Sequence, residues 1–321
     1  MSRHRRFRAA AFFAAALIAL GVASQASAQV PTPEQFFGFK IGADGELATY
    51  AKELEYFQLL SKRTDRVKYE EIGKTTLGHP YALLTISAPQ NLKRLNRLVE
   101  INHKLADPRT TSETEAAALT QEGRPFYLLK ATIHSNEIGN GQAIVNIVHR
   151  LATDSSPETR EILDNLVLLL VPSQNPDGQY LLIDQWYKNK GTQYARNYPD
   201  LYHVYTGHDD NRDWFLISQK ETQLIVGKVL NAYLPVITQD MHEQGTNDAR
   251  IYVPPFDEPY DANIDPITAR QHAEVGSAIA SALIADGKSG VTWGNRYDMW
   301  SPARQYEPYH GNVRILTEIA A

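Results

Sequence analysis

The sequence contains no cysteine. Disulfide bonds therefore cannot stabilise the fold, and a lipid anchor attached through cysteine is excluded. Stability must come from a hydrophobic core, which a 321-residue chain with 43% hydrophobic residues can build as one domain. The chain also lacks internal repeats and low-complexity linkers, so no feature of the sequence divides its main part into several domains.

The first 28 residues differ from the rest. Four arginines precede an apolar run over residues 9–23, and Ala26-Ser27-Ala28 follows it. This order of basic, apolar and small residues predicts a secretory signal peptide over residues 1–28. A membrane anchor is the alternative, but the run is shorter than the roughly 18 apolar residues of a spanning helix. We expect residues 29–321 to be secreted or periplasmic, without membrane insertion after cleavage.

Positive charge is scarce as well. The formal net charge is -5, and cleavage after Ala28 removes four arginines and no acid, which lowers it to -9. So acidic a chain argues against nucleic acid as a partner. The oligomeric state cannot be read from the sequence.

Apolar patterning predicts an α/β fold. We expect one domain with a mixed, mostly parallel twisted sheet and helices on both faces, because helical and strand-like segments alternate and two strands are wholly apolar. The segment at 107–124 is predicted to be a polar loop, and residues 179–210 form a long polar, tyrosine-rich passage. The predicted strands are 67–72, 81–87, 126–133, 166–171, 234–240 and 313–319, and the predicted helices are 47–63, 92–105, 138–151, 159–165, 214–232 and 266–285.

A histidine and a glutamate lie three residues apart where the strand 126–133 gives way to a helix. His134 and Glu137 can point to the same side of this turn and share one metal ion. The carboxyl end of a strand is also where open α/β sheets bind their ligands. A surface turn that happens to carry both residues is the alternative.

Two other predicted strands end in suitable side chains. His242 follows the strand 234–240, and Glu318 ends the strand 313–319. If these strands are neighbours, His134, Glu137 and His242 form a set of two histidines and one carboxylate, which leaves a fourth zinc position open, as in catalytic zinc sites. Glu318 would then act as the general base.

Five motifs follow one another along the chain: HxxE at 134–137, NPDG at 175–178, Asn211-Arg212, His242 after a strand, and Thr317-Glu318. In order and approximate spacing they resemble the zinc carboxypeptidase family, also called the metallocarboxypeptidase or carboxypeptidase A-like family. The resemblance extends from about Glu34 to the end of the chain. It implies a zinc carboxypeptidase-like fold and one Zn²⁺ per chain, held by His134, Glu137 and His242.

The resemblance also implies roles for residues around the metal. Asp177 would accept a hydrogen bond from the second ring nitrogen of His134, although an Asx turn is an alternative role. Arg212, steadied by Asn211, would bind the terminal carboxylate of the substrate. The alternative for Arg212 is a surface ion pair with a neighbouring aspartate.

Two further catalytic residues are implied by position. Arg196 would polarise the scissile carbonyl and stabilise the oxyanion, with two nearby lysines as alternatives. Tyr297 matches the mobile tyrosine that the family has upstream of its catalytic glutamate. The alternatives for the tyrosine are Tyr306 and Tyr309, and a packing role is also open.

Together these expectations describe a secreted zinc metallocarboxypeptidase. It would hydrolyse the last bond of a peptide with a free C-terminal carboxylate, using a zinc-activated water with Glu318 as general base. Family members continue through a further helix after this strand, so the resemblance implies that the C-terminal helix is missing here. Two alternatives are a zinc amidohydrolase acting on cell-wall peptides or N-acyl amino acids, and a catalytically inactive zinc-holding module that binds peptides.

Overall fold

The computed structural model describes residues 30–195, 203, 205–206, 208–245, 247, 249–295 and 301–321. The strands are β1 (Val67–Lys74), β2 (Pro80–Ile86), β3 (Phe126–Lys130), β4 (Val167–Val171), β5 (Ile237–Gln244), β6 (Ile251–Tyr252), β7 (Val291–Thr292) and β8 (Val313–Ala320). The helices are α1 (Pro33–Phe37), α2 (Tyr50–Arg63), α3 (Pro89–Lys93), α4 (Leu95–Ala106), α5 (Glu113–Glu122), α6 (Ile138–Thr153), α7 (Pro157–Asn165), α8 (Pro176–Asn189), α9 (Lys220–Ile225), α10 (Asn231–Tyr233) and α11 (Pro266–Ala285). A π-helical turn (Val226–Leu230) joins α9 to α10, and two 3-10 turns span Asp210–Arg212 and Glu307–His310.

All eight strands form one sheet in the order β1-β2-β4-β3-β5-β8-β6-β7. The central strands β4, β3, β5 and β8 are parallel, whereas β1, β2 and β4 pair in antiparallel fashion. The parallel strands β3, β5 and β8 are adjacent, so their carboxyl ends lie side by side at one edge. The predicted single-domain α/β fold is confirmed.

Apolar side chains pack on both faces of the sheet. Leu129 of β3 and Leu170 of β4 belong to one core, together with residues of α2 and α6. Leu128 and Leu169, each one position away, belong to a second core with residues of α4 and the α9 region. Because neighbouring strand residues point to opposite faces, the wholly apolar sequences of β3 and β4 are explained by burial on both sides.

The predicted loop at 107–124 and the polar passage at 179–210 both contain helical residues. Ser112 caps α5 by accepting a hydrogen bond from the amide of Glu115, and Asn175 caps α8 through the amide of Gly178. Both caps satisfy amides that would otherwise lack partners at a helix start. The prediction of a loop over all of 107–124 was therefore wrong, and the polar passage begins inside α8.

Strand boundaries also shift around the expected metal site. β3 ends at Lys130, three residues earlier than predicted, and Thr132 adopts a left-handed conformation with φ of 58°. β5 extends to Gln244, so His242 lies inside a strand rather than after it. The expected signal peptide over residues 1–28 lies outside the described residues. None of the helices in the described ranges has the length and hydropathy needed to span a membrane.

Candidate metal centre

The turn that carries His134 and Glu137 is fixed by backbone bonds to the loop after β4. The amide of Gln174 donates to the carbonyl of Ala131, and the amide of Asn175 donates to that of Thr132. Thr132 is β-branched, so its left-handed conformation is strained by about 1–3 kcal/mol. Gly141 of α6 accommodates it, because a Cβ at that position would lie 2.6 Å from the Thr132 hydroxyl. The close contact with α6 therefore allows Thr132 to keep this strained conformation, two residues before His134.

His134, Glu137 and His242 lie together, as the sequence predicted. Nδ1 of His134 is 2.6 Å from one carboxylate oxygen of Glu137, and Nδ1 of His242 is 3.0 Å from the other. One nitrogen or oxygen atom from each residue lies within 4.8 Å of those of the other two. Both histidines therefore present the same ring nitrogen to a shared carboxylate.

The donor set fits a divalent ion. Among the described residues, the buried Oε2 of Glu137 contacts Nδ1 of His242 at 3.0 Å without forming a hydrogen bond of good geometry. An unsatisfied buried acceptor is costly, and this one fits a cation-binding role. Two imidazole nitrogens and one carboxylate oxygen are ligands that zinc prefers, and three protein ligands leave a tetrahedral position open.

The ionisation of this cluster follows from its mutual contacts. Burial lowers the pKa of His134, but hydrogen bonds to Asp209 and Glu137 outweigh it and raise the pKa to about 9. Burial also lowers the pKa of His242, but the charges of Asp240 and Glu137 outweigh it and raise this pKa well above the usual range. Burial favours the neutral form of Glu137, but the two histidines hold its pKa below the ordinary value. Without a metal, protons therefore balance the carboxylates, and a bound cation would displace them.

The carboxylate behind His134 is that of Asp209, not that of Asp177. Oδ2 of Asp209 is 3.0 Å from Nε2 of His134, and its Oδ1 accepts the amide hydrogen of Asn211. The expected bond to Asp177 was wrong. Asp209 was not among the predicted site residues. It directly precedes the 3-10 turn that carries Asn211-Arg212, and this position in the sequence could have identified it.

Asp177 instead holds the hairpin between β1 and β2. Its carboxylate accepts hydrogen bonds from the hydroxyl of Thr75 and the amide of Leu77, and it lies 2.7 Å from Nδ1 of His79. The NPDG motif thus starts α8 at Asn175 and uses its aspartate to fix a distant turn. Within the described residues, the carboxylate of Asp177 contacts this hairpin rather than His134.

The other predicted residues are distributed as follows. Glu318 of β8 is opposite His242 in the parallel register of β5, so the two side chains point to the same face. Asn211 is buried, and Arg212 is half-buried with Nη1 donating to the Asn211 carbonyl at 2.6 Å. Arg196 and Tyr297 lie outside the described residues.

A buried charge network lies beside His242 and was not predicted. Asp240 accepts hydrogen bonds from Nη2 of Arg314 at 2.6 Å and from Nε2 of Gln174 at 2.9 Å. Nζ of Lys130 is 3.5 Å from the same carboxylate and 2.7 Å from Glu307. Lys130 ends the apolar strand β3, and Arg314 is the second residue of β8; a basic residue in each of these buried strands was the signal for the network. Because each buried charge has an opposite partner, the network can be maintained in the interior.

The fold and the site define a class of protein. An α/β sheet carries two histidines and a glutamate at the carboxyl ends of adjacent parallel strands, with a second glutamate beside them, as expected of a metal-dependent hydrolase.

Comparison with known families assigns the chain to one family within this class. The family model described as "Zinc carboxypeptidase" matches residues 54–305, and the chain belongs to this family. The matched range contains His134, Glu137 and His242 but ends before Glu318. Family and fold together support a metallopeptidase. No curated protein sequence matches the chain.

Solved structures of low sequence identity share the fold. Carboxypeptidase A from Helicoverpa armigera matches with a TM-score of 0.62 and 16% identity, covering 95% of this chain and 71% of that one. A metallo-carboxypeptidase from Burkholderia cenocepacia matches with a TM-score of 0.58 and 16% identity, covering 85% and 60%. A protein named as a carboxypeptidase A from Shewanella denitrificans matches with 0.56 and 14%, covering 85% and 60%. The present chain thus spans about three fifths of the length of the two latter structures.

Proposed function

We propose that this protein is an exported zinc metallocarboxypeptidase that removes the last residue of a peptide with a free carboxyl end. The convergence of His134, Glu137 and His242 within 4.8 Å carries the proposal. Family membership supports the same chemistry. The basic, apolar and small-residue order of residues 1–28 supports export.

One zinc ion per chain would be held by these three residues. When bound, it would polarise the scissile carbonyl and acidify the attacking water. Asp209 would keep the proton of His134 on Nε2, which leaves Nδ1 free as a ligand. Arg196 and Tyr297 remain proposed contributors to oxyanion stabilisation and substrate contact.

Glu318 is proposed to move the proton. Its strand position beside His242 puts its carboxylate on the same face as the metal ligands. It would take a proton from the attacking water and deliver it to the leaving amine. A glutamine at this position has nearly the same shape but cannot accept that proton.

Arg212 is proposed to select the substrate. Arg212 lies on the 3-10 turn that directly follows Asp209, and Asp209 contacts the proposed metal ligand His134. A planar guanidinium can bind a carboxylate with two parallel hydrogen bonds. Asn211, whose buried Oδ1 has no partner within the described residues, would fix this turn and assist the contact.

The test is a panel of N-blocked dipeptides, each with a free or an amidated carboxyl end, assayed with zinc and with a chelator. We expect hydrolysis only of the free acids and only with zinc. Glu318→Gln should keep its zinc and lose about 10²–10⁴-fold in kcat. Wild-type rates in that variant would refute its role, and equal cleavage of amidated substrates would favour an amidohydrolase.

A further inference from the structure

Glu243, the residue after His242, contacts the helix that starts at the proposed metal ligand Glu137. One carboxylate oxygen of Glu243 accepts the amide hydrogen of Asn140, with a distance of 2.9 Å. The same oxygen lies above Gly139, where a Cβ would come within 2.5 Å of it. A carboxylate from β5 therefore covers the first turn of α6.

This helix cannot be capped in the usual way. Its N-cap residue is Glu137, whose side chain makes no cap hydrogen bond. An N-cap side chain ordinarily accepts from the second or third amide of its helix, which here belong to Gly139 and Asn140. The carboxylate of Glu137 is instead turned to His134 and His242. Glu243 supplies the acceptor that the N-cap residue does not.

We propose that Glu243 is a positioning residue for the metal centre. It satisfies the start of α6 and thereby leaves both oxygens of Glu137 available to the ion and the histidines. This inference rests on the proposed function, because it takes Glu137 to be a metal ligand. Without Glu243, the uncapped amides and the positive end of the helix dipole would attract the carboxylate of Glu137 back to its own helix.

Removal of the Glu243 carboxylate should therefore weaken metal binding as well as destabilise the helix. Residues that orient metal ligands from outside the first coordination sphere typically change metal affinity by about 10–100-fold when they are removed. We expect a loss of this size in Glu243→Ala. Glu243→Gln retains an amide oxygen that can accept from Asn140, so it should stay within about threefold of the wild type on this argument.

A matched control is available on another helix. Asp265 caps α11 by accepting the amide hydrogen of Ile267 at 2.8 Å, and no proposed ligand lies on that helix. Asp265→Ala also removes a carboxylate cap, so it should lower the melting temperature without changing zinc affinity. This comparison separates positioning from general stability.

The experiment measures the zinc dissociation constant of the full chain by chelator competition. The visible absorption of the cobalt-substituted protein is a second readout of ligand geometry. Glu243→Ala should bind zinc about 10–100-fold more weakly and alter the cobalt spectrum. If wild-type protein binds zinc and Glu243→Ala binds it equally well, the inference is overturned while the proposed function stands. Absence of zinc binding by the wild type would overturn both.

A second variant covers the case in which Glu243→Ala does not fold. Gly139→Ala would place a Cβ against the Glu243 carboxylate and displace it. Gly227→Ala is its control, because a Cβ there meets nothing within 4 Å. We expect weaker zinc binding in the first variant only. Equal affinity in both would contradict the inference.

Discussion

Removal of Asp209 tests how His134 is oriented. Its Oδ2 is 3.0 Å from Nε2 of His134, so Asp209→Ala deletes the acceptor that fixes the ring and its tautomer. Such partners are typically worth about 10–100-fold in metal affinity, or roughly 1.4–2.8 kcal/mol. The side chain of Asp209 is 34% exposed, and water can replace part of the lost bond. We therefore expect the lower part of that range, about 10–30-fold.

Asp177 provides the matched control. It is a buried aspartate that accepts from Thr75 and Leu77 and contacts His79, without a role at His134. Asp177→Ala should destabilise the protein by a few kcal/mol, because several hydrogen bonds to a charged group are lost. Its zinc affinity, measured by chelator competition under conditions where the variant is folded, should equal that of the wild type.

The outcome distinguishes the two carboxylates directly. A loss of zinc affinity in Asp209→Ala together with an unchanged value in Asp177→Ala is expected. The reverse pattern, or equal losses in both, would refute the reasoning from the hydrogen bonds. Asp209→Asn is a further check, since an amide oxygen can still accept from Nε2 and should restore part of the affinity.

Three further outcomes follow. Arg212→Ala should raise KM for dipeptides with a free carboxylate with little change for amidated ones, and equal effects on both would contradict the proposed clasp. Zinc affinity should rise with pH through about 9, where His134 loses its proton in the metal-free protein, because both histidine ligands have raised pKa values. A flat titration would count against proton displacement. Burial raises the pKa of Glu53 to about 8 from an ordinary 4.5. The native state thus binds more protons than the unfolded state between these values, and stability should fall as pH rises through that range. Glu53→Gln should flatten this dependence in urea titrations at pH 5 and 8, and an unchanged slope would contradict it.

The grouping of His134, Glu137 and His242 could be predicted because strand ends are encoded locally and the family resemblance implied that these strands are neighbours. Apolar runs identify the strands, and parallel neighbours bring their carboxyl ends together. The boundary of β3 was not predictable, because the strained conformation of Thr132 depends on its contact with Gly141 in a later helix. Tertiary contacts of this kind leave no local pattern.

The error over Asp177 has a similar cause. Asp177 and Asp209 both follow segments near the metal ligands, and sequence order does not show which loop returns to His134. The bonds of Asp177 to Thr75 and Leu77 are formed with a hairpin about 100 residues earlier. By contrast, α5 had a local signal in Ser112 and Glu115, and weighing that cap would have identified the helix.

The most direct test of the metal centre is the zinc content of the purified chain and of two histidine variants, after dialysis against metal-free buffer. About one zinc per chain is expected in the wild type, in keeping with a three-ligand site. His79→Ala, which alters a histidine bound to Asp177, should retain the metal, whereas His242→Ala should lose it. A wild-type chain without zinc, or a His242→Ala variant with a full equivalent, would contradict the proposed centre.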